Sequence, residues 1–282
     1  KNLAEADRCF GFAVDEAIRR GAEVAVISGD STDHALDVHS PAVERLARHV
    51  RRLADHCPVL MLQGTFSHEP PGTLAIFRLL GGRYGVHVAD RIGQVALRLD
   101  RTWVGSQGWR FDGAQDHLPD GARVMFTCVP TVNKATVAAS VGAADAGVAL
   151  GQELAALLTG FAASNQAARE ALVPTVGVSH GTVTGCITEH DVPMAGFDHE
   201  FTSGSLFDAQ AQAVLLGHIH RHQRWERDAE AGRRCIAYAG SIGRFHHGEA
   251  GDKGFLLWEL GPHTAACRLE ATPARRTVDI CF

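Results

Sequence analysis

Two short apolar runs constrain this chain more than any other feature. Glu23-Val-Ala-Val-Ile-Ser28 and Pro58-Val-Leu-Met-Leu-Gln63 are apolar on both alternating faces between their ends. A strand covered on one face alternates apolar with polar; a strand without alternation is covered on both. Each run follows an amphipathic helix pattern. Ala6, Cys9, Phe10, Ala13, Val14, Ala17 and Ile18 recur at helical spacing across residues 3–20, and Gly21 is a natural stop. Pro41 to His56 repeats the pattern with Val43, Leu46, Ala47, Val50 and Leu53. Helix, buried strand, helix, buried strand predicts parallel βαβ units and an α/β fold.

Further along, shorter strands are expected at Val86–Ala89, Gln94–Leu99, Thr102–Val104 and Arg123–Thr127, with turns rich in Gly and Asp. A helical region is expected over roughly Gly147 to Ala171. Strands follow at Thr175–Ser179, Ala213–Leu216, Cys235–Ala239 and Phe255–Leu260, with strand-like pieces beyond Cys267. No internal repeat or low-complexity linker divides the chain, so a single domain over residues 1–282 is the simplest organisation. Hydrophobic residues at 45% and charged residues at 21% exclude a disordered chain. A net charge of −5 excludes a generally basic nucleic-acid coat, though not a local basic groove. The seven cysteines are odd in number and form no CxxC, which argues against a disulfide framework or a zinc ribbon. They read as small core hydrophobes in a reducing, cytoplasmic setting. No uninterrupted apolar run is long enough for a membrane span.

The chemistry concentrates where strands end. Val24–Ser28 runs into Gly29-Asp30-Ser31-Thr32-Asp33, and Val59–Gln63 into Gly64-Thr65-Phe66-Ser67-His68-Glu69. Thr175–Ser179 runs into His180-Gly181, and Val214–Leu216 into Gly217-His218-Ile219-His220. Ligands of open α/β sheets bind beyond the carboxyl ends of the strands, so these four ends should converge. One carboxylate with several imidazoles suits a divalent transition metal such as Mn, Fe or Zn. Two adjacent ions need a bridging carboxylate, and Asp30 is the candidate. Such a pair serves phosphoester hydrolysis above all.

The spaced set Gly29-Asp30-x-x-Asp33, Gly64…His68-Glu69, Ser179-His180-Gly181 and Gly217-His218-Ile219-His220 resembles the calcineurin-like metallophosphoesterases. Within them it is most similar to the SbcD-type DNA repair nuclease subunits, which Tyr238 to Arg244, Gly248-Glu249, Lys253-Gly254-Phe255 and Thr272 to Arg276 also resemble. The resemblance implies a four-layer αββα sandwich and a hydrolase that cleaves phosphodiesters by hydroxide attack between two ions. Manganese is the usual ion, with iron, zinc or magnesium as alternatives. It implies Asp30 as bridging ligand, His180 and His218 on one ion and His220 on the other. His68 would assist the leaving oxygen. DNA is the implied substrate and an SMC-like ATPase an implied partner; a homodimer is compatible with it.

Two departures bear on the site. The family opens with an Asp-x-His on a first core strand, and none occurs before Asp30 here, so that strand is expected upstream of Lys1. The family's Asn ligand in the second motif is also absent; Thr65, Ser67 or His68 itself would take its place, with Asp33 in support. Arg221, Arg224 and His246 are candidates for substrate phosphate. His34, His39, His222 and His247 read as loop histidines, and Glu249 as a residue that fixes its loop. Residues 262–282 could begin a capping segment. Two other functions share these residues: a stand-alone phosphomonoesterase or small phosphodiesterase, and a non-catalytic homologue that has lost the first metal position.

Overall fold

The computed structural model describes residues 2–33, 39–80, 82–132, 146–192, 200–229, 232–249 and 251–276. Helix α1 (Asn2–Arg19) and helix α2 (Pro41–His56) precede strands β1 (Ala25–Ile27) and β2 (Val59–Leu62), as the apolar spacing predicts. Ser40 caps α2, its Oγ accepting from the Ala42 amide at 3.2 Å, and Pro41 occupies the first turn, where no amide is needed. Strand β3 (Val86–Ala89) completes a parallel sheet in the order β1-β2-β3, with Ala25 opposite Val59 and Val59 opposite Val86. Among the described residues β1 pairs with β2 alone.

A larger mixed sheet has seven strands. In chain order they are β4 (Gly93–Arg98), β5 (Trp103–Gly105), β6 (Ala122–Val129), β7 (Thr175–His180), β10 (Ala213–Gly217), β11 (Gln223–Ala229) and β12 (Gly232–Tyr238). Between β7 and β10, β8 (Thr182–Val183) and β9 (Glu200–Phe201) pair with each other. After β12, β13 (Gly254–Leu260) and β14 (Ala265–Ala271) make an antiparallel hairpin. The spatial order is β11-β12-β10-β7-β6-β4-β5. Strands β6, β7, β10 and β12 run parallel in the middle, and antiparallel strands flank them.

Side-chain alternation explains how the sheets stack. Leu60 and Leu62 of β2 meet Val95 and Leu97 of β4, Val124 and Phe126 of β6, and Val176 and Val178 of β7 in one apolar layer between the sheets. The intervening residues Val59 and Met61 point the other way, onto Val14 of α1 and Val50 and Leu53 of α2. On the outer face of the larger sheet, Val214, Leu216 and Ile236 are covered by Leu154, Leu158, Phe161, Leu206 and Phe207. These last residues belong to α3 (Ala146–Gly160), the joint to α4 (Ala162–Glu170), and α5 (Ser203–Asp208). Each sheet is thus apolar on both faces, which is why its central strands lack alternation in sequence. The fold class is α/β.

The helical region expected over Gly147–Ala171 consists of two helices. The Gly160 carbonyl is taken by the Arg110 guanidinium, and the Trp109 ring lies so close that a Cβ on Gly160 would sit 2.6 Å from it. Strand β11 was not expected, because its charged residues mask the pattern; it is an edge strand, where charge deters pairing with other chains. Within residues 262–282, Ala265–Ala271 is β14, bonded to β13 along its length. No helix among the described residues is long and apolar enough to cross a membrane.

His87 on β3 lies half-buried beside Trp103, ring centroids 5.7 Å apart. Burial, with the Arg78 and Arg91 charges nearby, pushes its pKa from 6.5 down to about 4. The unfolded chain therefore takes up this proton at higher pH than the folded one. The stability His87 contributes is complete above about pH 6.5 and drains away as pH falls toward about 4. Urea unfolding across that window should show a falling midpoint, and His87→Gln should flatten the fall relative to the parent; parallel curves would contradict it.

Candidate metal centre

The carboxyl ends of β1 and β2 in one sheet face those of β7 and β10 in the other. Asp30 follows β1, Thr65 follows β2, His180 ends β7, and His218 follows β10. Their ligand atoms converge: the Asp30 carboxylate, His180 and His218 each offer one within 4.8 Å of the others. Asp30 Oδ2 lies 3.1 Å from His180 Nε2 and 3.2 Å from His68 Nδ1. The rings of His180 and His218 stand edge to face, centroids 5.3 Å apart.

Glycine permits this approach. A Cβ on Gly64 would lie 2.2 Å from the Asp30 amide nitrogen, and one on Gly217 1.9 Å from the Ser28 carbonyl oxygen. Neither neighbour can yield, because both are backbone. Asp30 and His218 themselves adopt left-handed backbone, φ 52° and 97°, a conformation that non-glycine residues hold only when their surroundings over-determine it.

Hydrogen bonds then set the chemistry of each group. A carbonyl only accepts, so His180 Nδ1–H donates to Ser28 O at 2.8 Å, and Nε2 faces Asp30. The His180 ring is 1% exposed. Burial opposes its charge, yet the hydrogen bond and charge of Asp30 raise its pKa. Asp30 is likewise desolvated, but the protonated His180, the Thr65 amide at 2.7 Å and His68 hold its carboxyl well below the usual range. A divalent cation can replace the proton between these two groups, because the same lone pairs face it. Burial pushes the pKa of His220 down, which keeps that ring neutral and able to ligate.

The surrounding residues hold the loops. Glu69, fully buried, accepts from the Ser31 and Gly64 amides at 2.6 Å each and so ties the β1 loop to the β2 loop. Thr32 Oγ1 donates to the His68 carbonyl at 3.0 Å. Behind His220, a buried ion pair joins Lys253 Nζ to Glu249 at 2.6 Å. Lys253 donates to the His220 carbonyl at 3.1 Å, and Glu249 accepts from the Phe245 and His246 amides.

Of the residues singled out in the sequence, Asp30, His180, His218 and His68 come together. Of the residues considered for the missing Asn, Thr65 Oγ1 is 3.2 Å from both Asp30 Oδ2 and His180 Nε2, His68 Nδ1 is 3.2 Å from Asp30 Oδ2, and Ser67 is exposed. His220 lies outside the three-residue group, its Nδ1 3.5 Å from Glu189. Arg221 is paired with Asp191 and Arg224 with Glu226, while the His246 side chain is exposed. Asp33 and His39 are exposed, His222 Nδ1 donates to Tyr238 O, and His34 lies outside the described residues. Sequence reasoning missed Glu189, which sits in a polar loop with no distinguishing pattern. It also missed Lys253 as a support, although Glu249 and Lys253 are four residues apart beside a strand.

Gly64→Ala should break the site without removing a ligand. We expect the parent protein to gain several degrees in Tm with added Mn2+, and the variant to gain none, since its Asp30 is displaced. Equal gains by differential scanning calorimetry would refute the role given to Gly64. No protein-family model matches this chain, and neither does any curated protein sequence.

Proposed function

We propose that this chain is a divalent-metal-dependent phosphodiester hydrolase of the calcineurin-like metallophosphoesterase type, and that it acts on DNA as a nuclease subunit. The observation that carries the reading is the convergence of Asp30, His180 and His218 from three strand ends in two facing sheets. The stacking supports it too: helices on the outer face of each sheet and an apolar layer between them match the αββα sandwich that the resemblance implies.

Asp30, His180 and His218 would hold one ion, with Asp30 shared toward a second beside His220. Bound ions would supply Lewis-acid polarisation of the phosphate and a more acidic water. The chain's own part is positional. The Ser28 carbonyl fixes His180 with Nε2 inward, and Glu69 keeps the two loops together. His68 turns Nδ1 toward Asp30 and is 39% exposed, so its other nitrogen can hold a proton for the leaving oxygen. Manganese as the ion, a cytoplasmic location, and an SMC-like ATPase partner belong to the same reading.

A second reading, hydrolysis of small phosphoesters, draws on one observation. Arg221 and Arg224, the cations nearest the His-x-His segment in sequence, are already engaged by Asp191 and Glu226. With a net charge of −5, grip on a long polyanion would have to come from a partner.

Mn2+-dependent cleavage of linear duplex DNA and of bis(p-nitrophenyl) phosphate should be measured side by side. His218→Ala and Asp30→Ala should each lower turnover by more than about 100-fold, beyond what losing a supporting partner costs, with the far-UV spectrum unchanged. Parent-like turnover in either variant would sink the site. Cleavage of the small ester alone would select the second reading.

A further inference from the structure

Cys235 and Cys267 are 32 residues apart, on strands that share no ladder, yet their sulfurs lie 3.7 Å from each other. Cys235 is on β12 of the large sheet and Cys267 on β14 of the separate hairpin. The two strands pack against each other at the margin of the layer between the sheets, among Val26, Trp258, Leu260 and Ala265. Access differs: Cys235 is 1% exposed, and Cys267 is half-buried and open to a small reagent. We propose that Cys235 and Cys267 are a redox site, forming a reversible disulfide that staples the β13–β14 hairpin to β12.

The surroundings assign the two thiols different parts. The two sulfurs are within hydrogen-bond reach, and this contact, with the Arg224 guanidinium nearby, favours the thiolate at Cys267, the more accessible of the two. The same contact together with burial keeps Cys235 protonated. Cys267 is therefore the nucleophile and Cys235 the resolving thiol. With a hydroperoxide as oxidant, the Cys267 thiolate attacks one peroxide oxygen. The O–O bond breaks, hydroxide or alkoxide leaves, and Cys267 becomes a sulfenic acid. The Cys235 sulfur then attacks the Cys267 sulfur, an S–S bond forms, the S–O bond breaks, and water departs with the Cys235 proton. Two thiols are oxidised and one peroxide is reduced. The sulfurs must close from 3.7 Å to about 2.05 Å to form the bond.

The staple would reach the candidate metal centre. β13 begins directly after Lys253, which holds the His220 carbonyl, and Thr272 at the end of β14 donates to the Ile242 and Lys253 carbonyls. Both ends of the hairpin therefore anchor the loop behind His220.

The test oxidises the full chain with stoichiometric hydrogen peroxide. We expect an intact mass lower by about 2 Da, a non-reduced peptide joining Cys235 to Cys267, and a Tm higher by several degrees, all reversed by dithiothreitol. Cys267→Ser, at a half-buried position, should fold normally and lose both the mass change and the Tm gain; Cys235→Ala should do the same. A bridge mapped to any other pair, Cys281 included, would overturn the proposal. So would Cys267 oxidised with no bridge formed, or a mass change that persists in Cys267→Ser.

Discussion

The contact between Asp30 and His180 is the constraint on which the rest of this structure depends. It joins the end of a strand in one sheet to the end of a strand in the other, with His180 buried and Asp30 mostly so. A carboxylate held at that depth is tolerable only if its charge is met, here by His180, His68 and the Thr65 amide. The glycines before and beside it follow from that contact. So do the left-handed backbone at Asp30 and His218 and the buried Glu69 that pins two loops with one carboxylate. Local strain at these positions is offset by the large apolar layer behind them.

A second buried pair, Glu249 with Lys253, repeats the device on a smaller scale. Neither side chain has solvent access. Replacing such a pair with apolar residues commonly costs a protein nothing. Its position behind the His220 carbonyl and the 245–246 amides gives it a purpose that apolar side chains could not serve. Both pairs thus place buried charge around the candidate metal centre, while the layer between the sheets is apolar.

Much of this was legible in the residues because the signals were local. The helix pattern before Gly21, the helix pattern from Pro41 to His56 and the unalternating runs of β1 and β2 each report their surroundings directly. Polar residues at four strand ends, each with a glycine beside it, announced that the ends meet. What stayed hidden depended on distant partners. Nothing near Gly160 says that Arg110 will claim its carbonyl. The charged run of β11 looks like a loop until its edge position is known. Glu189 beside His220, and Cys267 beside Cys235, are encounters made by the tertiary fold alone. That Thr65 and not Ser67 approaches Asp30 likewise depends on which hydroxyl the turn after β2 aims inward.

The hydrogen bond from His180 to Ser28 spans 152 residues of chain. During synthesis, β1, β2 and β3 emerge first and can pair as a unit, because domains fold vectorially from the amino end. At ordinary ribosomal speed, roughly ten to thirty seconds separate the appearance of Ser28 from that of His180. Through that interval the Asp30 loop exists without its main counter-charge, and β10 with His218 arrives later still. The candidate metal centre is thus completed late, from pieces that the nascent chain must keep in reserve.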